Sequence, residues 1–109
     1  MPFTWQINIS PNPSQIAGSA FTFDPNPLPD SKSTNTVSVG DQIFWTNNDS
    51  VPHWPGVTNY SNVFMPGPIA PGMTSPAFVP DPSFTGQTVT YVDTLAGASS
   101  PTATIVISS

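Results

Sequence analysis

His53 is the only histidine in this 109-residue chain, and the chain contains no cysteine. It is therefore the one side chain whose unperturbed pKa allows proton exchange near neutrality, and the one imidazole available to a metal. Nucleophilic thiolate chemistry and disulfides are excluded outright. Serines are plentiful, and Asp49 lies four residues before His53. These could be assembled into a triad on paper, but no G-x-S-x-G elbow presents a nucleophile. The six aspartates show no paired spacing beyond what loops ordinarily contain. An enzyme is not expected. Met65 and Met73 are possible soft ligands, but methionine more commonly fills irregular apolar gaps.

The surroundings of His53 are set by the strands that lead into and away from it. Apolar residues recur with period two and helical periodicity is weak, which predicts an all-β chain. FTWQINI (3–9) alternates Phe3, Trp5, Ile7 and Ile9 with polar residues. SAFTF (19–23) is a second short strand, closed by the proline loop DPNPLPD. NTVSV (35–39) leads through Gly40-Asp41 into QIFWTN (42–47), whose apolar centre implies burial. SNVF (61–64) and SPAFV (75–79) are weaker candidates, and QTVTYVD (87–93) and TATIVIS (102–108) are strong ones. The prolines fall between strands, where a missing N–H costs no ladder bond. This pattern predicts a single domain over 1–109, a Greek-key β-sandwich of about seven to eight strands.

Composition narrows the partners. Lys32 is the only basic residue, there is no Arg or Glu, and the net charge is -5. Nucleic acid needs a basic face to neutralise phosphates, and anionic membranes need the same. Neither is expected. Fifteen prolines and 7 glycines fall short of the roughly 25–30% that marks disorder. Low charge with many Ser, Thr and Asn suggests a secreted or periplasmic protein. No leader or transmembrane run is present, so export implies a leader removed or left out, with Met1-Pro2 an added start. Asn-x-Ser/Thr sequons at Asn8, Asn48 and Asn59 are expected by chance in so Ser- and Thr-rich a chain.

The order of the segments is more specific than a generic sandwich. VSVGDQIFWTNNDSVPH, then IAPGMTSPAF, GQTVTYVD and TATIVI, together resemble the cupredoxin family of plastocyanin, amicyanin and azurin. Val37 to His53 carries the most specific part, following the family pattern V-x-V-G-D-x-[VI]-x-W-x-N-x-D. The resemblance runs from about Phe21 to Ile107 and implies a cupredoxin-like sandwich with His53 at the first copper-ligand position. The other ligand positions fall on Asp93 in place of cysteine, Ala96 in place of the second histidine, and Ser99 to Pro101 in place of the axial methionine. Trp54 stands where an asparagine is common.

Blue copper requires a thiolate with two imidazoles, so this set implies no type 1 centre. It implies instead that Asp93 and His53 converge at one end of the sandwich. There they either pair with each other in place of a metal, or form a weaker mononuclear Cu(II) or Zn(II) site. A carboxylate on the inward face of VTYVD would be costly to bury without such a partner. In the family this end carries an apolar docking patch. Trp54, Val57, Tyr60 and Met65 are therefore the candidate recognition surface for a protein partner, unless Trp54 turns inward to fill the space left by the copper. Trp5 and Trp45 are expected in the core. The expected role is a metal-free binding or structural module, standing alone or as one domain of a larger surface protein. The sequence leaves the oligomeric state open.

Overall fold

A computed structural model describes residues 3–12, 20–30 and 32–108. The proposed added start, Met1-Pro2, and the first residue expected of the second strand, Ser19, lie outside them. Strand β1 (Thr4–Pro11) buries Trp5, Ile7 and Ile9 on one face, as its alternation requires. It pairs antiparallel with β2 (Phe21–Asp24), from Asn8↔Asp24 to Pro11↔Phe21. On its other side it pairs in parallel with β3 (Gln42–Asn47), from Thr4↔Gln42 to Ile9↔Asn47. The parallel pair requires a long crossover, which the segment between β2 and β3 supplies.

The second sheet has the order β4-β5-β6, formed by Pro55–Gly56, Thr88–Asp93 and Ala103–Val106. β5 pairs antiparallel with both neighbours, Pro55↔Asp93 on one edge and Tyr91↔Ala103 on the other. Leu28, from the proline loop, seals the far edge of β6. Its N–H donates to Thr104 O at 2.8 Å, and its carbonyl accepts from Val106 N at 2.8 Å.

The inward faces of the two sheets share one core. The Tyr91 ring from the second sheet meets Phe23 at 5.0 Å and Trp45 at 5.7 Å from the first. Phe64, from the loop after β4, stacks on Trp45 at 5.0 Å. Trp45 is fully buried, and its Nε1–H reaches the Tyr91 hydroxyl at 3.3 Å, so the ring enters the core without an orphaned donor. Trp5 is buried too, and its Nε1–H donates to Asp41 Oδ2 at 2.9 Å.

Six regular strands are present among the described residues, and three expected segments differ from the sequence reading. Residues 35–39 contribute one parallel bridge, Val37↔Ile107. Residues 61–64 are turns that deliver Phe64 to the core. Residues 75–79 contribute one antiparallel bridge to β3, in which Ile43 exchanges both bonds with Phe78, whereas Trp45 N donates to the Ser75 hydroxyl at 3.0 Å in place of a carbonyl. Pro76 has no N–H to offer Trp45 O, which accepts from Ser75 N at 2.8 Å instead. No helix among the described residues is long and apolar enough to cross a membrane.

Candidate functional site

The loop after β3 is closed by one side chain. Asn47, fully buried, donates from Nδ2 to Val51 O at 2.8 Å and Ile69 O at 3.0 Å, and its Oδ1 accepts from Asp49 N at 2.9 Å. That clamp turns the chain so that His53 re-enters the fold, where its backbone exchanges hydrogen bonds with Ile69. β5 arrives from the other sheet with Asp93 facing inward, as its alternation after Tyr91 dictates.

Between these elements the His53 ring is held on both sides. Nδ1 lies 2.6 Å from Asp93 Oδ2 and Nε2 lies 2.9 Å from Asp49 Oδ2. His53 is 2% and Asp93 1% exposed, and the Phe21 ring lies 4.3 Å from the imidazole. A carboxylate can only accept, so each ring nitrogen must carry a proton to make both bonds. The arrangement therefore favours the imidazolium. Burial works against the charged ring, but the hydrogen bonds to Asp93 and Asp49, and their charges, outweigh it and hold the His53 pKa above its ordinary value.

The carboxylates respond in the opposite direction. Burial alone would raise Asp93, yet His53 and the backbone N–H groups of Trp54 (2.8 Å) and Leu95 (3.0 Å) bond its anion and bring its pKa below the usual range. Asp49 is likewise lowered against the cost of burial, by His53 and by Ser50 N at 2.7 Å. No buried polar side-chain atom among the described residues lacks a partner.

The expected convergence of His53 and Asp93 is thus present, with a third member that the sequence reading passed over. In the sequence Asp49 enters only a triad that no G-x-S-x-G elbow supports. Its signal was the D-x-x-x-H spacing, which in a loop says nothing about direction until Asn47 folds the turn. Ala96 lines a shallow depression together with His53 and Asp93. Ser100 braces the chain: its hydroxyl accepts from Asp93 N at 2.8 Å and donates to Pro101 O at 2.7 Å.

These donors do not fit a blue copper centre. There is no thiolate, there is one imidazole rather than two, and the carboxylates lie on opposite sides of that ring instead of converging on one point. Among the described residues no group of three or more His, Asp or Glu side chains is placed to hold a metal ion. A Cu(II) or Zn(II) ion on His53 would have to displace one carboxylate.

The candidate recognition surface is only partly assembled. Tyr60 is 64% exposed, whereas Trp54 and Val57 are half-buried against the core. Trp54 donates from Nε1 to Met65 O at 3.2 Å. Met65 does not belong to that surface: at 2% exposure its side chain is core packing. Met73, considered as packing, is instead 58% exposed. Exposed Val51 and Leu95, absent from the sequence reading, flank the His53 depression. Neither the protein-family models nor the curated proteins compared with this chain give a match.

Proposed function

We propose that this chain is a cupredoxin-like Greek-key sandwich without type 1 copper chemistry, exported and used as a binding or structural module. The observation that carries this reading is the His53 ring locked at both nitrogens by Asp93 and Asp49. An ion cluster of this kind satisfies the same end of the sandwich that a metal would otherwise organise. The parallel β1–β3 pair and the V-x-V-G-D lead into β3 support the family topology. The charge balance and the wealth of neutral polar residues support export. No reaction is assigned, because the one imidazole is buried with both nitrogens engaged and no nucleophile beside it.

Titration of the intact protein with Cu(II) and Zn(II), followed by visible absorption and melting temperature, tests the reading. The expected result is no charge-transfer band and no saturable one-equivalent stabilisation. Tight binding of one equivalent, abolished in His53→Ala, would overturn it in favour of a mononuclear metal protein.

A further inference from the structure

Beside the ion cluster, on the outer side of β5, lies an open groove of about 440 Å³, within the ~300–1,000 Å³ range of ligand sites. Its polar lining is neutral: Thr58, Asn59, Thr94, Ser100 and Thr102. A second concavity of about 360 Å³ continues from it, sharing Asn59 and Thr94 and adding the aromatic rings of Trp54 and Tyr60. No lining residue of either concavity carries a charge.

The walls are fixed in place. Trp54 N is held by Asp93, and Trp54 O accepts from both Thr94 N (2.9 Å) and the Thr94 hydroxyl (2.8 Å). Tyr60 sits at the end of a tight turn closed by Tyr60 N to Val57 O at 2.7 Å, with Asn59 in the left-handed region at φ 71°. Side chains of Thr58, Asn59 and Thr102 are exposed and bonded to no other described residue, so their donors and acceptors are free for a ligand.

Chemistry narrows the occupant. A polyanion meets a protein of net charge -5 with one lysine, and a cation finds no carboxylate in the lining. An apolar peptide would strip water from hydroxyls and an amide without replacing their bonds, which is unfavourable. The remaining match is a neutral molecule with many hydroxyls and a C–H face that lies flat on an aromatic ring. We propose that this groove binds a neutral oligosaccharide, one sugar ring resting on Tyr60 beside Trp54 and its hydroxyls bonded by Asn59, Thr58 and Thr102. The proposal rests on the reading of the domain as a binding module and names its ligand class.

Amide NMR spectra of the intact protein, recorded with cellohexaose, maltohexaose, laminarihexaose or chitohexaose at about 10 mM, test it. At least one of these is expected to shift the resonances of Thr58 to Ser61, Thr94 and Thr102, while polygalacturonate does not. Tyr60→Ala is expected to weaken that binding about tenfold or more, as loss of an aromatic anchor does. Tyr60 is exposed, so the variant should stay folded. Asn59→Gly, which keeps the left-handed backbone, should weaken binding through the lost amide alone. Silence with all four oligosaccharides, or unchanged affinity in Tyr60→Ala, overturns the proposal. Neither outcome touches the metal titration, so a silent groove in a protein that ignores copper leaves the copper-free reading standing.

Discussion

An imidazole between two carboxylates has one comfortable protonation state. His53 donates to Asp93 and Asp49, and Asp93 also accepts two backbone N–H groups, so its charge is solvated by the protein rather than by water. Asp93→Asn retains an oxygen for the Trp54 and Leu95 amides and offers an NH2 to Nδ1, but removes the charge. The ring would then be neutral at Nδ1, and its pKa is expected to fall markedly; NMR titration of the imidazole measures this. The loss of a charge-assisted bond should cost about 1–3 kcal/mol in urea unfolding at mildly acidic pH. An unchanged imidazole titration would show that Asp93 does not hold the proton. At this scale the sequence made His53 conspicuous by its solitude, while Asp49 stayed hidden because its direction depends on the Asn47 clamp.

Elements were legible where alternation was strong. QIFWTN is β3 to the residue, because a run with Ile43 and Trp45 on one face admits one register against β1. Segment 75–79 was less legible: Pro76 denies it a continuous ladder, and the Ser75 hydroxyl accepts from Trp45 N where a carbonyl would be expected. β4 was not anticipated, since two residues carry no periodicity. Its Gly56 is required by close approach: a Cβ there would stand 3.0 Å from both Ser61 Cα and Ser61 O. Because those neighbours are backbone, Gly56→Ala must push the 57–61 turn away from β4. An expected cost of about 1–3 kcal/mol is readable in urea unfolding. The amide shifts should be confined to Val57–Ser61 and the β4–β5 edge. A variant as stable as the parent would contradict that packing.

The whole molecule combines one buried cation with buried anions, and its pH response follows from their signs. The His53 pKa is raised in the folded state, so its contribution is complete below the unfolded value of 6.5 and is lost as pH rises through the folded one. Asp49 and Asp93 are lowered, so theirs is complete above 3.8 and is lost as pH falls through their folded values. Asp41 joins them: burial opposes its charge, but the Phe3 amide, the Trp5 indole and the Ser38 amide hold its pKa down. The melting temperature is therefore expected to be highest between pH 3.8 and 6.5 and to decline on both sides. In Asp93→Asn the alkaline decline should be smaller and should be complete at lower pH. A melting temperature that climbs steadily from pH 6.5 into the alkaline range would refute this balance.

Sequence by itself determined the β character, the buried face of each strong strand, and the absence of thiolate chemistry, because period-two patterning and residue inventory are local properties. Only the tertiary structure decided that Asp49 would face Nε2, that Met65 would be core, and that neutral side chains from the turn after β4 and the loop after β5 would share a groove. Those outcomes depend on which loops meet across the ends of two sheets. Loop direction is set by individual hydrogen bonds such as those of Asn47, and no periodicity encodes it.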